Sequence, residues 1–140
     1  MIRYKLYQNK SEGTSTYGKW YARAVCEETI GLEQLAEHMS AHNTPYSKGC
    51  IYGVLRDMVS CVKELILDGK NVKLDGLAIF SAGLRTSPAN TAKDFSATAN
   101  IRDVRLRARA TGDLRTPLLT SEARVKQFAL YTAGQAEAAG

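Results

Sequence analysis

Four arginines and one aspartate crowd a single short stretch, Ile101-Arg102-Asp103-Val104-Arg105-Leu106-Arg107-Ala108-Arg109. Apolar and polar residues alternate through it, the pattern of a half-buried strand. Side chains of a strand point to opposite faces with a period of two. Val104, Leu106 and Ala108 therefore share one face, and Asp103, Arg105, Arg107 and Arg109 share the other. A guanidinium is always charged and presents a fork of donors that matches phosphate oxygens. Three of them side by side make either a solvated outer face or a phosphate-binding surface.

Other chemistry is far less visible. The sequence holds no G-x-S-x-G, no H-E-x-x-H and no G-x-x-x-x-G-K-[ST] phosphate loop. An enzyme is not expected, and neither is a cofactor or a small-molecule substrate. His38 and His42 stand at i, i+4 and could chelate a metal, but no third ligand is apparent. Near a helix C-terminus they read as exposed residues compatible with the helix dipole. Cys26, Cys50 and Cys61 are odd in number and lack metal-type spacing, so buried, inert thiols in a reducing cytosol are expected. No apolar run near Met1 resembles a signal peptide, and none is long enough to span a membrane.

The chain has 140 residues, a formal charge of +5, a pI of about 9.2 and 44% hydrophobic residues. That is one globular domain's worth of sequence, with a moderate cationic excess. The distribution of charge is more telling than its sum. Residues 1–23 hold Arg3, Lys5, Lys10, Lys19 and Arg23 against Glu12 alone. Residues 85–109 hold Arg85, Lys93, Arg102, Arg105, Arg107 and Arg109 against Asp94 and Asp103. The stretch 29–69 is net acidic. Positive charge thus lies on the predicted strands and avoids the predicted helices.

The elements that must position these cations follow from periodicity. Residues 2–8 alternate as a strand. Lys19–Cys26 reads as a second, with Trp20, Ala22 and Ala24 on one face and Tyr21, Arg23 and Val25 on the other. A helix is expected over 29–43, where Leu32, Leu35, Ala36 and Met39 follow helical spacing and Pro45 ends the run. Ser47 is a good N-cap for a second helix to Leu67, and Gly69 is its stop. Ile51, Val54, Leu55, Met58, Val62, Leu65 and Ile66 form a stripe that Val59 and Cys61 widen beyond the needs of one partner helix. The stretch from Gly69 to Phe80 returns to strand alternation, with a bend at Asp75-Gly76. Gly83–Ala99 is polar and serves as a hairpin loop or an extended arm. Beyond a turn at Thr111-Gly112-Asp113, Pro117 is expected to interrupt a short helix. Ser121 is expected to cap a final helix over 121–132, ahead of a frayed tail from Ala133.

Taken in order, Ser47-Lys48, Gly69-Lys70-Asn71-Val72-Lys73-Leu74, Gly76 and Phe80, followed by the basic returning strand, resemble the HU/IHF family of bacterial nucleoid DNA-binding proteins. The resemblance covers about residues 29–116. Tyr17-Gly18-Lys19-Trp20-Tyr21-Ala22-Arg23-Ala24-Val25 is similar to the β extension of longer HU-related proteins. It implies an α+β fold: a helical pair on an antiparallel sheet, a protruding β-arm and an intertwined homodimer. The domains would be a β extension (1–28), an HU-like domain (29–116) and a C-terminal helix with its tail (117–140). The implied partner is double-stranded DNA, bound with little sequence preference and possible bending, in the cytoplasmic nucleoid. HU and IHF are themselves type examples of minor-groove binders that wedge apolar side chains between base steps. Here the family's Gly-Phe-Gly is Gly76-Leu77-Ala78, and the arm holds a single lysine. Pro88, after Arg85-Thr86-Ser87, corresponds loosely to the wedge proline. The DNA-contacting residues would be Arg85, Pro88, Lys93, Arg102, Arg105, Arg107 and Arg109. The alternative is an HU-like structural or protein-interaction module with weak or no DNA binding.

Overall fold

The computed structural model describes residues 1–128. The fold is mixed α+β, and the chain divides into two compact units. One is Met1–Thr29 with the chain from Thr120 onward, and the other is Ile30–Leu119.

The first unit is a three-stranded sheet. Strand β1 (Ile2–Gln8) pairs antiparallel with β2 (Trp20–Ala24), with Tyr7 opposite Tyr21 and Lys5 opposite Arg23. Both strands fall where alternation put them. The loop between them is held by its own side chains. Asn9 Nδ2 donates to Thr16 Oγ1 at 2.7 Å, and Gln8 Nε2 donates to the Gly18 carbonyl at 3.0 Å. The third strand corrects the sequence reading. In place of a helix beginning at Ser121, a short helix already runs through Ser121 and ends at Glu122. Val125–Gln127 is a strand, β6, lying parallel to β1, with Arg3 opposite Lys126. Val125 and Phe128 are three residues apart, a helical spacing that a strand places on opposite faces. The open edge of β1 offers hydrogen-bond partners that an isolated terminal helix would lack. The remainder of the expected helix, from residue 129, and the tail from Ala133 lie outside the described residues.

The second unit begins with α1 (Leu32–Ser40). It is shorter than the expected 29–43, because Gly31 is its N-cap and Gln34 Oε1 accepts the Gly31 N–H at 2.9 Å. Helix α2 (Lys48–Leu67) starts as its sequence demands. Ser47 Oγ accepts from the Cys50 N–H at 3.2 Å, a cap worth about 1 kcal/mol. Its end is a Schellman motif: the Gly69 N–H donates to the Ile66 carbonyl and the Lys70 N–H to the Leu65 carbonyl, each at 3.0 Å. Gly69 has φ +77°, which only glycine adopts without strain.

Strands β3 (Val72–Leu74), β4 (Ala78–Thr86) and β5 (Ile101–Ala110) form an antiparallel meander in that order. A single helical turn, α3 (Ala97–Asn100), precedes β5, and a 3-10 turn (Gly112–Leu114) follows it. Gly76 and Gly112 touch backbone to backbone; a Cβ on Gly112 would collide with Gly76 Cα. The last helix among the described residues, α4 (Thr116–Glu122), carries Pro117 in its first turn. The missing N–H has no intrahelical partner to lose there, so Pro117 begins this helix and does not interrupt it.

The described residues contain little core. Ala36 and Ile51 are the only buried hydrophobic residues among them, and no large side chain is fully buried. Val54, Val59, Val104 and Leu106 are each at least half exposed. The cysteines follow suit. Cys26, Cys50 and Cys61 are all exposed thiols, against the expectation of burial. Cys50 and Cys61 lie on α2, whose apolar stripe the described residues cover only in part.

Candidate nucleic-acid interface

The β4–β5 ladder fixes where the arginines stand. Arg109 is opposite Ile79, Arg107 opposite Ser81, Arg105 opposite Gly83 and Asp103 opposite Arg85. These residues share one face of the sheet. Ala78, Phe80, Ala82 and Leu84 pair with Ala110, Ala108, Leu106 and Val104 on the other. Gly83 serves the arginine face directly: the Arg107 side chain lies across it, and a Cβ there would meet Arg107 Nε, Cδ and Cζ.

The electrostatics of this face are uneven. Asp103 stands within ion-pair range of two cations, Arg85 Nη1 at 3.6 Å and Arg105 Nη2 at 3.9 Å. Both pairs are long and about half exposed, so each contributes little. Among the described residues no acid lies within ion-pair distance of Arg107 or Arg109. One further cation joins this face, unmarked by the local sequence alone. Lys73 on β3 is opposite Ile79, which places it in the same transverse row as Arg109. The alternation of Val72-Lys73-Leu74 could have revealed it, had the sheet order been known. Its ammonium is 3.8 Å from the exposed Asp75 carboxylate.

The remaining candidates sit at one end of the hairpin. The ladder shifts register between Arg85 and Thr86, since Thr86 is opposite Ile101 and Arg85 opposite Asp103. Arg102 is therefore the extra residue of a bulge, a device that re-aims side chains. Pro88 and Lys93 are exposed in the connection between the strands. That connection is folded around Asn100, which is only 7% exposed. Asn100 Nδ2 donates to the carbonyls of Ser87 (3.1 Å) and Pro88 (3.3 Å), and its Oδ1 accepts the Ser96 N–H at 3.0 Å. The Ser87 N–H returns to the Asn100 carbonyl at 2.8 Å. The structure thus brings Arg85, Arg105, Arg107 and Arg109 onto one face, puts Arg102 at its bulged end, and leaves Pro88 and Lys93 beyond it.

The opposite face of the same sheet opens on a groove of about 510 Å3 against α2, lined by Met58, Val62, Ile66, Leu74, Phe80 and Leu106 among others. Among the described residues no layer covers this apolar groove, which exposed Val59 and Val104 flank. His38 and His42 are exposed, with their Nε2 atoms 3.1 Å apart. Among the described residues no group of three or more His, Cys, Asp or Glu could hold a metal. Nor is any described helix long and apolar enough to cross a membrane.

A helical pair beside a three-stranded meander, with a cationic hairpin face, defines an HU-like domain. Residues 1–123 match the family model HU-HIG, an HU domain fused to a wHTH, Ig or glycine-rich motif, and the chain belongs to that family. A solved structure from Bacteroides vulgatus ATCC 8482, described as a "Putative bacterial DNA binding protein", shares the fold with a TM-score of 0.66 at 17% identity. The match covers 91% of this chain and 47% of that one, so this chain spans about half its length. No curated protein matches significantly.

Proposed function

We propose that the chain is a DNA-binding protein that acts as a homodimer and holds the duplex by its phosphate backbone, with little preference for sequence. The observation that carries this reading is the arginine face of β5, with Arg107 and Arg109 free of acidic neighbours. Neighbouring like charges on a strand oppose stability, so their juxtaposition suits an anionic ligand. Arg105, Arg107 and Arg109 contact phosphates, and Arg85, Arg102 and Lys93 extend the track along the hairpin, which serves as the family's arm. Pro88 is the candidate wedge for bending, with its carbonyl already fixed by Asn100. The partner subunit covers the apolar groove between α2 and the sheet. The named kind of the B. vulgatus protein and the HU-HIG membership support the same partner, and a nucleoid-associated role follows from it.

A second reading keeps the dimer and dispenses with DNA. The hairpin tip favours it, because residues 87–100 hold only Lys93 and Asp94 as charged groups and are net neutral. Fluorescence anisotropy with two duplexes of unrelated sequence separates the two. Duplex binding requires similar affinity for both, and a similar loss for both when Arg105, Arg107 and Arg109 are replaced by alanine in a variant that circular dichroism shows to be folded. No duplex binding by the parent establishes the interaction-module reading.

A further inference from the structure

The N-terminal sheet has two unlike faces. Ile2, Tyr4, Leu6, Trp20, Ala22 and Val125 lie on an apolar face, on which Ile2, Trp20 and Val125 are exposed. The other face carries Arg3, Lys5, Tyr7, Tyr21, Arg23 and Lys126, with Phe128 continuing it.

Two features of that second face are unusual for a merely solvated surface. Its cations stand directly opposite one another across the ladder. Lys5 faces Arg23 on β2, and Arg3 faces Lys126 on β6. Like charges at directly opposed positions destabilise a sheet, and here it happens twice on one face. Arg3 has one compensating acid, Glu27, at 2.9 Å. Among the described residues none lies within ion-pair distance of Lys5, Arg23 or Lys126. Aromatic rings are also interleaved with the charges. Tyr7 and Tyr21 stack with centroids 5.9 Å apart and planes inclined at 29°. Arg23 Cζ lies 4.1 Å from the Tyr7 ring centroid, and Arg3 Cζ lies 5.6 Å from that of Phe128. Tyr21 and Phe128 remain exposed.

Cations without acids favour an anionic polymer, and exposed rings between them favour bases that can be stacked. A duplex hides the faces of its bases, whereas a single strand offers them. We infer that the cationic face of the β2-β1-β6 sheet binds single-stranded nucleic acid. Lys5, Arg23 and Lys126 contact phosphates, and Tyr21 and Phe128 stack on bases. This site is separate from the β4–β5 arginine face and does not depend on it.

The probe is a labelled short oligothymidylate, read by fluorescence anisotropy against the parent, K5Q/R23Q, Y21A and R107A/R109A. An abasic oligomer of equal charge and a duplex are titrated beside it. The parent should bind oligothymidylate more tightly than the abasic oligomer, with a salt slope near −2 if three phosphates are contacted at about 0.7 each. K5Q/R23Q should weaken that binding at least tenfold and keep or raise the melting temperature, since it removes an opposed like-charge pair. Y21A should weaken it about fivefold or more, the range of one lost stack. Neither variant should change duplex affinity, and R107A/R109A should leave oligothymidylate binding intact. Unchanged oligothymidylate binding in folded K5Q/R23Q overturns the site. So does its loss in R107A/R109A, which would assign single strands to the hairpin. Equal binding of the abasic oligomer overturns the stacking role. Loss of duplex binding alone, in R107A/R109A, concerns only the hairpin face.

Discussion

The two sheets are built alike and their cations are placed differently. Each has three strands, one apolar face and one cationic face. On the β3-β4-β5 sheet the arginines stand opposite neutral or small residues, Ile79, Ser81 and Gly83, and no aromatic ring lies among them. On the β2-β1-β6 sheet cations oppose cations, and tyrosines fill the next row. The same alternation thus presents bare guanidinium groups in one place and charges mixed with rings in the other. A guanidinium row without rings is suited to a phosphate backbone. Rings between charges add an affinity for exposed bases.

The largest effect that bears on this contrast comes from the face they do not share. Leu106 is 63% exposed on the groove side of β5. Leu106→Asp should leave a single chain folded but place an uncompensated charge in the proposed dimer contact, at ~3 kcal/mol or more per subunit. Sedimentation at micromolar concentration should give twice 15.3 kDa for the parent and 15.3 kDa for the variant. A parent that is already monomeric removes the dimer from the account.

Next in size is the hairpin tip. Asn100→Ala leaves the Ser87 and Pro88 carbonyls and the Ser96 N–H without the side-chain partner they now have. Unsatisfied groups of this kind cost ~1–3 kcal/mol each when water cannot reach them. Hydrogen exchange and limited proteolysis should both accelerate between residues 87 and 100, and the β1–β2 ladder should stay protected. If Pro88 is the wedge, kinked duplex should lose its advantage over straight duplex in this variant.

A smaller effect sharpens the contrast directly. Asp103→Asn releases Arg85 and Arg105 from their shared carboxylate. Duplex affinity should rise severalfold at low salt, and oligothymidylate affinity should not move. A fall in duplex affinity would show that Asp103 positions these arginines and does not merely compete for them.

Much of this was legible in the sequence where local rules suffice. Alternation placed β1, β2 and the arginine face of β5, because a period of two survives in any sheet that has one wet side. Ser47 and Gly69 marked the ends of α2, since capping is settled within a few residues. Long-range pairing was not legible. Val125-Lys126-Gln127 looked helical, and only the free edge of β1, more than a hundred residues away in sequence, makes it a strand. The place of Lys73 is hidden for the same reason, as its row is defined by β4. Free cysteines are generally buried, but the described residues leave much of the surface of α2 uncovered. The opposed pairs Lys5–Arg23 and Arg3–Lys126 appear only once register is known.

The central claim is that the β5 arginines hold the duplex by its phosphates, and the salt dependence of duplex binding tests it most directly. With Arg105, Arg107 and Arg109 replaced by alanine in both subunits, up to six phosphate contacts are lost, if each arginine makes one. The slope of log K against log salt should shrink in magnitude by about 0.9 for each contact removed, up to about 5 in all. A folded triple variant whose affinity and slope match the parent's would contradict the claim and leave the hairpin face without DNA.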